Sequence, residues 1–406
     1  MRRLLPLAPL MGASVEDSYA ALAAAREHFE RATDFTIGIE EEFQILDADS
    51  LLMTNRFEEL RDACEAGVLQ GHVAGELIAS EIEVKTGRGE TFDEAARMLI
   101  DRRIALVEEA ERLGVAVGST GTHPTSPWTD QRIIDTPHYR IVEGTLRYIA
   151  WRNNTFGMHV HVGIRNADRA MAVANAMRTH VPELLALSCT SPWLEGRITH
   201  LRSTRTQIFT RMFPRCGIPD VFADWADYDR YVRFLLETES IREHTEIWWT
   251  VRPHQSFGTV EIRACDALPD LADSLALAAL QVALTARAAR RYDAGDLPAP
   301  TRPSDIEENL WRALRWGMSR ELIDLDARKA IPADEHVANL LAACQPEIDA
   351  LGLAPWLTPL AGLLEHGDHA TRWKDRVEAG EDMSAIHAEQ VAITMTSAHA
   401  LKERIG

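Results

Sequence analysis

The sequence predicts an α+β protein: a β-sheet with one apolar and one polar face, helices packed on the apolar face and a site on the polar one. Three observations predict it. Four separate segments alternate with a period of two and carry Glu, His or Arg on one side. Stretches of helical periodicity lie between and after them. The composition, 46% hydrophobic and 26% charged, is that of an ordinary folded chain and excludes whole-chain disorder.

The opening segment, MRRLLPLAPLMGAS, places two arginines before a short apolar run that Pro6 and Pro9 interrupt. An amphipathic helix is expected from Ser14 to about Thr33, so the segment is not read as a secretory leader. The first strand, 36–46, reads TIGIEEEFQIL. Ile37, Ile39, Phe43 and Ile45 share one face, and Glu40, Glu42 and Gln44 the other. Glu41 falls on the apolar side, which suggests a strand end or a local polar contact. A helix is expected over 57–66, ending at Gly67. In the second strand Ile82 and Val84 alternate with Glu81, Glu83 and Lys85. A long helix over 91–113 leads through Gly114 into VAVGSTGTHPTSPW, an apolar strand followed by a loop.

A helix over 138–150 precedes FGMHVHVGI, the third strand, with Met158, Val160, Val162 and Ile164 opposite His159, His161 and Gly163. Helices at 167–188 and 226–238 flank an irregular, Arg-rich stretch, RSTRTQIFTRMFPRCGIP. The fourth strand sets Val260, Ile262 and Ala264 against Thr259, Glu261 and Arg263. YDAGDLPAPTRPSD reads as a linker or surface loop. Ser304 and Glu307 suggest a capping box for a helix beginning near Asp305. From there to Gly406 the pattern is almost entirely helical. The organisation expected is an N-terminal extension, partly helical, over 1–34, a catalytic sheet-and-helix core over 35–290, and a linker with a helical C-terminal part of the same unit over 291–406.

Charge and cysteine usage narrow the function classes. With 43 basic and 62 acidic residues the formal charge is −19, and no basic run stands out. That argues against nucleic acid and anionic membrane as partners, and a nucleotide would arrive with its own divalent metal. No segment has transmembrane length and character. Five scattered cysteines, odd in number and without a C-x-x-C pair, fit reduced thiols and a cytoplasmic location. Trp248, Trp249 and Trp311 are read as core.

The polar faces carry the chemistry. Glu40 with Glu42, Glu81 with Glu83, His159 with His161, and Glu261 with Arg263 converge if the four strands share one sheet. Several carboxylates in a partly dehydrated cleft are costly unless cations neutralise them. Carboxylates with one or two imidazoles and no thiolate suit Mg²⁺ or Mn²⁺ better than structural zinc. Each pair alone has a bland reading: E-x-E as a solvated face, H-x-H as a core hydrogen-bonding pair or zinc site, Glu261 with Arg263 as a surface ion pair. No Walker A, GxGxxG, G-x-S-x-G or zinc-finger spacing is present.

The ordered segments GIEEEF, GTHP, GMHVHVGI and RPHQSFGTVEIRACD resemble the carboxylate–amine ligase family related to type 2 glutamate–cysteine ligases, over roughly residues 35 to 320. The order E-x-E, spaced glutamates, G-M-H, E-x-R is similar, more distantly, to glutamine synthetase, whose superfamily includes the guanidino kinases. The resemblance implies a curved antiparallel sheet whose concave face holds ATP and two or three divalent metals, Mg²⁺ or Mn²⁺, with helices outside. It implies Glu40, Glu42, Glu83, His159 and Glu261 as metal ligands, with Glu76 added by its spacing before Glu83. Arg263 is implied as a phosphate-binding residue, Arg205 and Arg252 as substrate or phosphate contacts, and Arg312 and Arg315 as further cofactor-binding residues. The activity implied is ATP-dependent amide-bond formation through an acyl phosphate, with glutamate and cysteine as default substrates and a homodimer as the assembly. A phosphotransferase of the same fold and a non-catalytic nucleotide- or metabolite-binding paralogue are the alternatives. Thr250 stands where the family commonly has an acidic residue, and the segment before Asp34 is longer than the family's.

Overall fold

A computed structural model describes residues 15–405. The interrupted apolar run at residues 1–14 lies outside the described residues. Seven strands form one sheet: β1 (Ile37–Asp47), β2 (Val73–Ala74), β3 (Glu81–Lys85), β4 (Val115–Gly118), β5 (Gly157–Gly163), β6 (Val251–His254) and β7 (Thr259–Asp266). The order is β6-β7-β5-β1-β3-β2, with β4 paired to the second half of β1, and every pairing is antiparallel. Register brings the predicted polar positions level. Glu40 faces His159 on one side and Lys85 on the other, Glu42 faces Glu83, and Glu261 lies between His161 and Arg252. Side chains at paired positions point to the same face, so these residues share one floor.

The opposite face is covered by helices. Ile37, Ile39, Val160, Val162, Val260 and Ile262 are fully buried in one core with α1 (Val15–Arg31), α3 (Ala167–Met177), α4 (Val181–Ser188), α5 (Trp225–Glu237) and α6 (Leu271–Ala294). Phe43, Ile45, Ile82 and Val84 pack against α2 (Phe92–Arg112). Thr91 caps α2 by accepting from the Glu94 N–H. Glu41 sits mid-strand on this apolar side, not at a strand end. Its carboxylate lies 3.2 Å from Arg103 Nη1, both side chains are buried, and Arg103 also donates to the Pro269 carbonyl at 2.5 Å. That is the polar contact the odd position demands. Through Leu22, Ala25 and Phe29, α1 belongs to the main core.

Several boundaries differ from expectation. The 57–66 helix is shorter, Phe57–Ala63. The 138–150 helix breaks at Arg147, which has φ 51°, and 167–188 is two helices joined by a tight turn over Arg178–His180. There is no capping box at Ser304. The helix α7 (Pro303–Trp316) starts earlier, with Pro303 supplying the first turn, and Glu307 instead pairs with Arg211. The C-terminal part is not all helix either: Glu321–Asp324 and Lys329–Pro332 form a hairpin. Trp248 is half-buried and Trp311 is exposed, so of the three tryptophans read as core only Trp249 is fully so. The five cysteines are unpaired. Among the described residues one helix, α6, is long and apolar enough to cross a membrane, and 89% of its apolar window is buried inside the protein.

Candidate active site

The polar face of the sheet floors a cleft of about 560 Å³, lined by Glu40, Glu42, Glu76, Glu81, Glu83, Lys85, His159, His161, Arg205, Arg252, Glu261 and Arg263, with Tyr139, Trp248 and Phe257 on its walls. β1 delivers its two glutamates on either side of one imidazole. Glu40 Oε2 is 3.3 Å from His159 Nδ1 and Glu42 Oε1 is 3.5 Å from His159 Nε2. Glu42 also accepts from the Gly157 backbone N–H. Gly157 has a steric reason to be glycine: a Cβ there would lie 2.1 Å from Arg205 Nη2. The glycine before Met158 therefore lets the Arg205 guanidinium lie flat beside β5.

Glu261 is gripped from both sides. Arg252 Nε donates to it at 2.5 Å, and Arg263 Nη1 makes a second bond. Arg252 Nη1 turns to the Ile247 carbonyl at 2.5 Å, so Arg252 faces Glu261 and the backbone more than open cleft. Arg263 also reaches His159 Nδ1 at 3.4 Å. Arg205, buried, lies 3.9 Å from Asp266 and within 3.5 Å of the Arg263 and Ala264 carbonyls. Thr250 directs its hydroxyl to the Gly217 carbonyl at 3.1 Å, and its own carbonyl accepts from the Arg263 N–H. Arg312 and Arg315 do not line the cleft. They lie on α7, Arg312 beside Glu308 and Arg315 on the His200 carbonyl, so the structure does not bring them to the other site residues.

Electrostatics separate the carboxylates into two groups. Burial raises the Glu261 carboxyl, but Arg252 and Arg263 outweigh it and hold Glu261 well below the usual range. Glu40 is held low in the same way by His161, His159 and Lys85 against the cost of burial. Burial and the Glu40 charge push Glu83 well up, and burial with Glu42 and Glu76 does the same to Glu81. Glu76 rises to about 7 through burial and Glu42. Glu81 Oε2 is buried without a hydrogen-bond partner. The protein's own cations thus neutralise only part of the cleft, and the remaining carboxylates are stable as anions only beside added positive charge.

Two sets of donor atoms could hold it. Glu40, His159 and Glu261 each offer an atom within 4.8 Å of the others, as do Glu42, Glu83 and His159. Oxygen donors dominate, thiolates are absent, and the chemistry fits hard divalent cations. Glu76 lines the wall outside both triads. Period-two alternation put Glu81 and Lys85 on the polar face of the second strand, although the sequence reading gave neither a role, and it did not point to Tyr139, Trp248 or Phe257. Tyr139 stands on the helix Pro137–Leu146, Trp248 on a two-residue strand and Phe257 on a turn, where no period-two stripe marks a site-facing side chain.

Residues 36–392 match the model of glutamate-cysteine ligase family 2. The chain is 36% identical over 362 residues to a Gloeobacter violaceus protein named "Putative glutamate--cysteine ligase 2", covering 89% of this chain and 97% of that one. It is 38% identical over 339 residues to a Sorangium cellulosum protein of the same name, covering 83% and 90%. Among solved structures it is similar to the glutamate–cysteine ligase of Francisella tularensis in complex with AMP, with a TM-score of 0.59, 14% identity and 92% and 95% of the two chains covered. It also resembles a bifunctional glutathione synthetase from Pasteurella multocida, with a TM-score of 0.64 and 13% identity, covering 95% of this chain and only 55% of that one. At such identities the structures share the fold. Sheet, cleft and sequence kinship together define an ATP-dependent carboxylate–amine ligase. The chain belongs to glutamate–cysteine ligase family 2.

Proposed function

We propose that the chain joins glutamate to the amine of cysteine, with ATP converted to ADP and phosphate. In the first step a glutamate carboxylate oxygen attacks the γ-phosphorus and ADP leaves, giving an acyl phosphate. In the second the amine nitrogen attacks the acyl carbon, phosphate leaves and the nitrogen gives up a proton, completing the amide. The observation that carries this reading is the pair of carboxylate triads meeting at His159, with Arg263 beside them.

We assign Glu40, Glu42, Glu83, His159 and Glu261 as ligands of Mg²⁺ or Mn²⁺, with Glu76 as an added carboxylate on the wall. His159 is shared by the two donor sets, so it would stand between the ions they hold. Bound ions of this class withdraw charge from the β- and γ-phosphates. Arg263 stabilises negative charge on the phosphoryl group in transit, and Arg205 holds a substrate carboxylate or phosphate. Arg252 acts by orienting Glu261. The family kinship and the reduced cysteines support a cytoplasmic enzyme acting on small molecules.

The test is phosphate release from Mg²⁺-ATP and glutamate with amines added one at a time, each reaction read by mass spectrometry. A product of mass acid plus amine minus water, with stoichiometric phosphate, is expected first for cysteine and is lost in Glu261→Gln. Another amine giving that product replaces cysteine in this reading. Accumulation of a phosphorylated acid without amide makes the chain a phosphotransferase, and ATP binding without any product makes it a binding protein.

A further inference from the structure

Among the described residues ten large hydrophobic side chains are exposed, and Phe257, 63% exposed, is the one that lines the cleft. It stands on the turn between β6 and β7. Its ring lies parallel to that of His254, with centroids 4.3 Å apart and planes 6° apart, while the ring of His161 meets both edge-on at 5.2 and 5.7 Å. One face of Phe257 is therefore covered and the other is open to the cleft.

The turn is rigidly held. Its Phe257 and Gly258 N–H groups both donate to the His254 carbonyl, and the Ile164 N–H donates to the Gly258 carbonyl. From below, His28 Nδ1 of α1 bonds the Gln255 carbonyl at 2.8 Å. Gly258 has φ 65°, and a Cβ there would lie 2.8 Å from the His28 carbonyl oxygen, so only glycine lets the turn seat on α1. A solvent-exposed phenyl ring on a mobile tip contributes little, but a fixed ring with one open face is a stacking platform.

The surroundings name the class of guest. The Arg263 guanidinium, paired with Glu261, and that of Arg205, 3.9 Å from Asp266, lie on the side of Trp248 and Phe209. At the Phe257 end the lining includes Ser256 and Thr245, and the His244 imidazole lies behind, 3.4 Å from Ser256 Oγ. Flat apolar faces with polar edges describe a purine. We propose that Phe257, backed by His254, is the residue on which the base of the nucleotide stacks, so that the turn selects a nucleoside triphosphate over a bare polyphosphate. This rests on the ligase reading above and adds to it which end of the cleft receives the base.

The test separates base from phosphate. Calorimetric titrations of the purified chain with Mg²⁺-ATP and with Mg²⁺-tripolyphosphate are compared for wild type, Phe257→Ala and Phe257→Tyr. Stacking on one aromatic ring is worth enough that the alanine variant is expected to bind ATP about tenfold more weakly. Tripolyphosphate binding stays within about twofold, and tyrosine restores ATP. Equal ATP affinity in wild type and Phe257→Ala, or equal weakening of both ligands, overturns the proposal while leaving the ligase intact. Wild type binding neither ligand removes the nucleotide reading itself, and the stacking role with it.

Discussion

Gly157 and Glu41 show how single residues of the first and fifth strands serve different ends. The absent Cβ of Gly157 makes room for Arg205, so Gly157→Ala is expected to displace that guanidinium and cut kcat/KM for the acid substrate by at least about tenfold. Its melting temperature should stay close to wild type, since the crowding falls on the end of a long side chain; wild-type kinetics would show that Arg205 needs no such room. Glu41 does the reverse, contributing to stability and not to chemistry. Replacing Arg103 by Met strands a buried carboxylate and should cost about 3–5 kcal/mol in urea unfolding, whereas the double change Glu41→Leu, Arg103→Met should recover much of it. If the double variant is as unstable as the single one, the ion pair is not the cause. The cleft carboxylates were legible because alternation names a face without needing a partner. The partner of Glu41 was not, because it lies 62 residues away on a helix, a separation at which periodicity says nothing.

The strands were the most readable elements for the same reason, since four polar stripes of period two fix which side chains share a floor. The hairpin at Glu321–Pro332 escaped because four-residue strands between helices leave too short an alternation to count. The misread cap at Ser304 shows a local motif losing to a neighbouring proline that starts the helix two residues earlier. A long-range element contact is visible only in the folded chain. His387 of α8 (Met383–Ile405) meets His123 of the GTHP loop edge-on, with ring centroids 4.5 Å apart, and both rings are buried. Burial, reinforced at His123 by its neighbour, lowers His123 to about 3, and burial lowers His387 to about 4. Both pKa values lie below the unfolded value of about 6.5, so the unfolded chain binds more protons as pH falls. Their contribution is present in full above pH ~6.5 and falls away below it, on the order of 3 kcal/mol per imidazole by pH ~4. The melting temperature should therefore drop between pH 7 and 5, and His387→Leu should drop less; equal slopes would assign the acid sensitivity elsewhere.

For the molecule as a whole, the cleft concentrates uncompensated acid at the centre of a sheet every layer depends on. Divalent cations that bind the folded cleft and not the unfolded chain should stabilise the whole protein, by about 3 kcal/mol at a hundredfold excess over Kd. Chelated protein titrated with Mn²⁺ or Mg²⁺ is expected to melt higher, and Glu40→Gln, Glu42→Gln to lose that rise. A rise undiminished in the double variant would move the ions elsewhere. The sheet's far edge carries another consequence. Leu46 and Ala116 are covered by Val391 of α8, the Val117 N–H donates to Met395 Sδ at 3.4 Å, and Lys402 pairs with Asp101 of α2 at 2.8 Å. The helix that shields these strands is translated after all seven of them. A nascent chain therefore spends the synthesis of well over a hundred residues with a finished sheet and a bare flank, and a ribosome stalled before residue 383 releases a product that chaperones and proteases can recognise by that flank.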